Sequence, residues 1–445
     1  MAMKVMFISL GCDKNLVDAE KMLGILRKEG YAFTDNEAEA DVIIVNSCCF
    51  IGDAKEESIN TILEMASYKE KENGVCKALI VTGCLTERYQ DEFLKELPEV
   101  DGILGIASWQ EIGNVVKEAL EKKTPHVFYD NNSLPKTEAD RVVTTGGYYA
   151  HLKIAEGCDK HCTYCIIPKI RGRYRSVPME ELVEEAEKLA AQGVRELILV
   201  AQETTLYGVD LYGTKSLPQL IRRLAAIPGI YWIRIQYCYP EEITDGLIDV
   251  IASEPKVCHY LDIPIQHGSD RILKRMGRRT DSGQLREIVG KLRERIPDIA
   301  LRTTLITGFP GETEEEFEEL MAFVDEMEFE RLGVFAYSQE EDTPAAAMED
   351  QIPEEVKEDR RARVMELQQE IAFEKSEAMV GKILDVMIEG KVADENAYVG
   401  RTYMDAPGVD GYIFVQTGAE LMSGDFVKVK VTGAVEYDLI GELSE

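Results

Sequence analysis

Glu156-Gly157-Cys158-Asp159-Lys160-His161-Cys162-Thr163-Tyr164-Cys165 is the stretch that decides how this chain is read. Its thiols are spaced C-x3-C-x2-C, and no fourth cysteine lies nearby. A 4Fe–4S cluster that only carries electrons is usually held by four thiolates. Three thiolates leave one iron open, and an open metal position marks catalysis rather than structure. Zinc sites pair a first C-x2-4-C with a second ligand pair, and no such pair follows here. The run therefore predicts a catalytic cluster held by Cys158, Cys162 and Cys165.

Immediately before it lies His151–Ala155, the first of six strand candidates. The others are Glu196–Ala201, Trp232–Gln236, Tyr260–Ile263, Ala300–Leu305 and Gly333–Ala336. Amphipathic helical stretches separate them, among them Glu180–Ala191, Ser282–Arg295 and Glu314–Glu328. Strands alternating with helices imply a parallel sheet. Six such units predict a central partial (β/α)6 barrel over residues 145–375. Barrel active sites sit at the C-terminal ends of the strands, and the cysteine loop follows the first strand.

Residues 1–135 alternate in the same way. Strands at Lys4–Leu10, Asp41–Asn46 and Ala78–Thr82 are followed by helices at Val17–Glu29, Lys55–Tyr68 and Arg88–Leu97. They predict an N-terminal open parallel α/β sheet. The polar, glycine-containing stretch 131–147 reads as a linker. A long polar helix, Glu354–Met379, leads into residues 376–445. There Ile383–Ile388, Tyr398–Tyr403, Gly411–Val415 and Phe426–Val431 predict a C-terminal small antiparallel β-barrel. The fold class is α/β in three parts.

Cys12, Cys48 and Cys84 each end a predicted N-terminal strand. In open α/β sheets ligands bind outside the carboxyl ends of strands, and neighbouring strands lie about 5 Å apart. Three thiols at matching ends predict a second cluster, although a lone cysteine there would only fill core. Cys49 competes with Cys48. Successive strand residues face opposite sides, so one of the two points away. Lys153, Lys160, Lys169, Arg171, Arg173 and Arg175 make the first motif's surroundings basic. Such a run commonly forms a solvated face, yet cations also favour bound thiolates and carboxylates. Tyr164 offers a ring for a flat heterocycle, Gln202 an amide for a polar cofactor, and Arg302 a partner for a carboxylate. A structural ion pair is the competing role for Arg302. The glycines of Leu305-Ile306-Thr307-Gly308-Phe309-Pro310-Gly311-Glu312-Thr313 would allow close backbone approach to a ligand.

The totals set the bounds. A chain of 445 residues is long enough for two to four domains. Its start lacks the pattern of a signal peptide, and no apolar run reaches the roughly 18 residues of a membrane span. A cytoplasmic location is expected, where ten cysteines serve metals or catalysis rather than disulfides. Net charge is −32, with 82 Asp and Glu against 50 Lys and Arg. Such a surface repels polyphosphate and attracts basic partners, which argues against direct nucleic-acid binding, although acidic surfaces also serve solubility alone; with no apolar span, no membrane partner is expected.

With these residues in hand the chain resembles the radical S-adenosylmethionine superfamily, whose C-x3-C-x2-C loop follows the first strand of a β/α barrel. The resemblance implies S-adenosyl-L-methionine chelating the open iron, and a 5′-deoxyadenosyl radical that abstracts hydrogen. The three-part layout, with Cys12, Cys48 and Cys84 upstream, is similar to the methylthiotransferases, which carry two 4Fe–4S clusters and a terminal TRAM domain. Ser9-Leu10-Gly11-Cys12-Asp13-Lys14-Asn15-Leu16-Val17-Asp18, Ala54-Lys55-Glu56-Glu57-Ser58-Ile59, Leu97-Pro98-Glu99-Val100-Asp101-Gly102 and Asp405-Ala406-Pro407-Gly408-Val409-Asp410-Gly411 resemble one branch of them. That branch modifies an aspartate β-carbon of the ribosomal protein S-twelve. Asp13 stands where the family has Pro, and Cys49 where it has Gly. Residues 376–445 hold 13 Asp and Glu against 5 Lys and Arg, which suits a basic ribosomal protein better than RNA. The alternatives are a tRNA adenosine methylthiotransferase and a non-catalytic Fe–S or zinc protein of ribosome assembly. The residues name no sulfur or electron donor.

Overall fold

The computed structural model describes residues 2–393 and 395–444. It divides into two compact units. The first comprises Met1–Thr144, Ala155–Val177 and Ser338–Ala346, and the second Thr145–Ile154, Pro178–Tyr337 and Ala347–Glu445.

The first unit is built on the strands β1 (Lys4–Ser9), β2 (Ala32–Phe33), β3 (Val42–Ser47), β4 (Ala78–Gly83), β5 (Gly102–Leu104) and β6 (His126–Val127). They form one sheet in the order β2-β1-β3-β4-β5-β6, and every pairing is parallel. β3 and β4 are buried along their whole length, as expected of apolar strands covered on both faces. Side chains alternate between those faces. Ile43, Val45, Leu79 and Val81 enter one core, and Val42, Ile44, Ala78 and Ile80 the other. The helices are α1 (Asp13–Lys28), α2 (Gly52–Ala66), α3 (Cys84–Glu96) and α4 (Ile112–Leu120). Because β1 lies between β2 and β3, the winding reverses there. Such a switch point opens a crevice at the strands' carboxyl ends.

The chain then contributes β7 (Tyr149–Lys153) to the second unit. Next come β8 (Ala155–Glu156), α5 (Ile167–Arg171) and β9 (Arg175–Ser176) of the first. β8 and β9 pair antiparallel and close the base of the loop that carries Cys158, Cys162 and Cys165.

In the second unit β10 (Glu196–Val200), β11 (Trp232–Ile235), β12 (Val257–Asp262), β13 (Ala300–Thr307) and β14 (Arg331–Ala336) join β7. All six strands are parallel, in the order β14-β13-β12-β11-β10-β7. Strictly sequential order is the progression of a β/α barrel. The connecting helices are α6 (Met179–Ala191), α7 (Val209–Tyr212), α8 (Leu217–Ala225), α9 (Asp245–Ser253), α10 (Asp270–Arg275), α11 (Ser282–Arg295) and α12 (Glu314–Met327). α11 and α12 open with capping boxes, Asp281 with Gln284 and Thr313 with Glu316, which satisfy orphan amides at both starts. α13 (Glu354–Glu377) follows.

A closed five-stranded barrel completes this unit: β15 (Ile383–Lys391), β16 (Ala397–Arg401), β17 (Ile413–Gln416), β18 (Phe426–Val435) and β19 (Asp438–Leu443). Four of its pairings are antiparallel, while β17 and β19 run parallel. Its core is continuous with Trp232, Cys258, Tyr260 and Ala300 of the parallel sheet. Polar anchors surround that core. Glu196 is fully buried between Arg234 (2.7 Å) and Arg401 (2.6 Å), Arg331 pairs with Asp405 (2.5 Å), and Tyr260 donates to Asp410 (2.9 Å). Glu196, Trp232, Ala300 and Arg331 all open their strands. The small barrel is therefore seated at the strands' N-terminal ends, opposite the end where such barrels do their chemistry. Among the described residues no helix is long and apolar enough to cross a membrane.

Candidate metal centres

Cys12 lies in extended conformation as the N-cap of α1. Gly11 before it has φ +90°, and a Cβ there would stand 2.7 Å from Cys48 Cβ and 2.9 Å from Cys48 Sγ. Both the left-handed turn and the close approach require glycine. Cys48 follows β3, and its amide donates to Ser58 Oγ at 2.9 Å. Cys84 opens α3 after Gly83, whose φ of +100° brings the turn against the Ser47 carbonyl. Asn15 ties these loops together. Its Nδ2 donates to the carbonyls of Leu10 (3.2 Å) and Ser47 (3.1 Å), and its own carbonyl accepts from Asn46 Nδ2 at 2.8 Å. The Cys84 thiol lies 3.7 Å from Asn15 Oδ1.

Cys12 lies close enough to act on the ionisation of Cys48, and Cys12 and Cys48 on that of Cys84. Burial pushes the Cys84 thiol up, opposed by Arg171. Burial likewise raises Cys48, opposed by the backbone at Phe50. Cys49 is fully buried within the sheet's apolar core, and burial takes its thiol up to about 12.

The second cysteine loop closes on itself. The Cys158 amide donates to the Gly172 carbonyl at 3.2 Å, and the Cys165 amide to the Cys162 carbonyl at 3.0 Å. Gly157, at φ +79°, packs so tightly that a Cβ would meet the Arg173 carbonyl at 2.1 Å. Cys158 and Cys162 are buried, while Cys165 and Tyr164 are half-buried. Arg171, at the end of α5, is not on a solvated face: its side chain is 1 % exposed. Its guanidinium meets Glu156 through two contacts of 3.0 Å, Asp18 at 3.6 Å, Asn15 Oδ1 and Cys84 Sγ at 3.6 Å. Burial disfavours its charge, but Glu156, Cys84, Asp18 and Cys12 hold it firmly protonated.

Among the described residues no three His, Cys, Asp or Glu side chains close around a single metal ion. The thiolates of a 4Fe–4S cluster bind different irons, so they stand further apart than ligands of one ion. Soft, buried thiols on glycine-enabled turns fit such a cluster. The ten cysteines form no disulfide.

Within the second unit Gln202 is half-buried just after β10. Gln236 takes the corresponding place after β11, is 6 % exposed and has a buried Oε1 without a hydrogen-bond partner. Its place as the last residue of a strand candidate was the only sequence signal for it. Arg302 takes part in the structural ion pairing that was its competing role. Its guanidinium meets Asp262 at 3.0 Å and Asp410 at 3.3 Å, near the start of β13, so the chain itself supplies its carboxylates. The Gly308–Thr313 turn is also filled from within. Glu312 Oε2 accepts from the Gly308 and Phe309 amides at 3.0 and 3.4 Å, and Gly308 admits Lys357.

Comparison with known proteins places these features. Family models match residues 4–105 (Uncharacterized protein family UPF0004), 152–324 (Radical SAM superfamily) and 380–443 (TRAM domain). The chain is 65% identical to the ribosomal protein uS12 methylthiotransferase RimO of Lachnoclostridium phytofermentans, covering 99% of both chains. It is 52% identical to the RimO of Acetivibrio thermocellus over 100% of this chain and 99% of that one. Among solved structures the radical S-adenosylmethionine methyltransferase TsrM of Kitasatospora setae shares the fold, with TM-score 0.53, 15% identity and coverage of 78% and 77%. Full-length identity at this level, over both cysteine loops and the terminal barrel, shows that the chain belongs to the RimO family of ribosomal protein uS12 methylthiotransferases within the radical SAM superfamily.

Proposed function

We propose that this chain adds a methylthio group to the β-carbon of an aspartate in ribosomal protein uS12, by radical S-adenosylmethionine chemistry with two 4Fe–4S clusters. The observation that carries this is the presence, in one compact unit, of a three-cysteine loop and of three further cysteines on neighbouring strand ends, linked by the buried Arg171. Cys158, Cys162 and Cys165 hold one cluster and leave an iron for S-adenosyl-L-methionine. Cys12, Cys48 and Cys84 hold the other. When bound, these groups supply one-electron cleavage of the sulfonium and the handling of sulfur.

The chain's own residues hold and insulate. Gly11 and Gly83 let the thiol-bearing turns approach. Burial of Cys48, Cys84, Cys158 and Cys162 keeps water from reactive centres. Tyr164, within the cysteine loop, is the residue for cofactor contact there. The acidic segment 376–445 favours a basic protein substrate over RNA, and such a substrate places the enzyme in the cytoplasm.

Mass analysis of uS12 from cells with and without the enzyme tests this. A methylthio mass difference on uS12, with tRNA nucleosides unchanged, is expected. An unchanged uS12 mass overturns the assignment, and altered tRNA adenosines would move the enzyme to the tRNA-modifying branch. Release of 5′-deoxyadenosine by reduced enzyme separates both from a non-catalytic protein.

A further inference from the structure

Arg171 is a buried cation to which the mechanism gives no chemical task. Arg171 is the last residue of α5, in the loop of the radical-site cysteines, yet its side chain extends to the other cysteine set. One Nη meets both Glu156 oxygens at 3.0 Å, two residues before Cys158. The other lies 3.6 Å from Cys84 Sγ and donates to Asn15 Oδ1. The latter side chain ties the turns after β1 and β3. Glu156 is itself fixed, because β8 and β9 pair Glu156 with Arg175, whose guanidinium donates to the Arg171 carbonyl at 3.2 Å. The fork is thus pre-set from both sides. A planar guanidinium suits this two-sided grip, and lysine would not reproduce it.

Reduction potentials of iron–sulfur clusters follow their net charge, the hydrogen bonds to their sulfurs and their exposure. Reduction adds negative charge. A buried cation that donates to a ligand sulfur therefore stabilises the reduced state more than the oxidised one. Resting on the two-cluster assignment above, we propose that Arg171 is a positioning residue that donates to the Cys84 sulfur of the loaded enzyme and raises the reduction potential of the N-terminal cluster. The same guanidinium fixes the base of the radical-site loop through Glu156.

Potentiometric titration of the reconstituted holoenzyme, followed by electron paramagnetic resonance, tests this on wild type, Arg171→Lys and Arg171→Met. Iron is counted in each sample. The radical-site signal is recognised because it changes when S-adenosyl-L-methionine is added; the other belongs to the N-terminal cluster. Its potential is expected to fall in the order wild type, Arg171→Lys, Arg171→Met, while the responsive signal moves less. Equal potentials in loaded Arg171→Met overturn the proposal, as does a shift confined to the responsive signal. Should Arg171→Met fail to load, Arg171→Lys carries the test, because it keeps the charge but loses the fork. An unshifted value there overturns the proposal equally. About four iron atoms per wild-type chain would remove the second cluster and the proposal with it. About eight with unmoved potentials would overturn the proposal alone.

Discussion

At the scale of single residues, two adjacent cysteines are separated by the pleat. Cys48 lies against Gly11, the residue before Cys12, whereas Cys49 fills core beside Ile43 and Val81. Replacing either removes one sulfur, but the proposed cluster assignment makes only Cys48 a ligand. Cys48→Ala is expected to lower the iron count from about eight to about four per chain. Cys49→Ala is expected to leave it near eight, which iron and sulfide assays after reconstitution check. The six cysteines proposed as ligands were singled out by spacing and strand ends, which are local features. Asn15 and Arg171 were not. Arg171 meets partners 87 and 156 positions away in the chain, and nothing in a run of basic residues tells which one turns inward. The partner of Arg302 was hidden for the same reason, since Asp410 lies 108 positions further on.

Among the elements, the segment Ser338–Ala346 fastens the cysteine-bearing parts of the first unit. Its Ser338 Oγ accepts from the Gly52 amide at 3.2 Å, just past Cys48 and Cys49. Glu340 pairs with Arg88 of α3 at 3.0 Å, both side chains being 5% exposed, and the Ala345 amide donates to the Thr163 carbonyl at 2.9 Å, between Cys162 and Cys165. Removing one member of a buried pair leaves the other charge uncompensated and costs about 3–5 kcal/mol. Arg88→Met and Glu340→Gln are each expected to lower the urea midpoint accordingly. The double variant is expected to lose less than the sum. This segment has no helical or alternating pattern, so its role was invisible before the fold was known. The starts of α1 and α3 lay four residues earlier than expected, at Asp13 and Cys84. A cysteine does not announce a helix start as Ser or Asp does, and the caps here are set by backbone conformation instead. β5, β6 and β19 escaped because two to six residues carry little periodicity.

Across the whole molecule, the strand-and-helix alternation gave both parallel sheets, and the succession of short strands gave the small barrel. What it could not give was the polar join within the second unit. Glu196 sits at its centre. Burial pushes its carboxyl up, yet Arg401 and Arg234 hold it below the ordinary carboxylate value. A group depressed in the folded state adds stability above its unfolded pKa, about 4.3, and loses it as pH falls through the folded value. Glu196→Gln is expected to cost about 3–5 kcal/mol near pH 7. The gap to wild type should shrink as pH drops below about 4.3, and denaturant unfolding at several pH values checks this. The Asp405–Gly411 segment, recognised only by resemblance, has a physical reason: Asp405 and Asp410 lock the barrel onto Arg331 and Arg302. The closing strand carries a further consequence. β19 pairs with β17 on one side and β18 on the other, so it is the seam of the barrel. A chain cut before Asp438 would keep four strands and present two raw edges, each a row of unpaired amides and carbonyls able to recruit a strand from another molecule. Proteolytic loss of this one hairpin arm would thus turn a self-contained barrel into an aggregation nucleus.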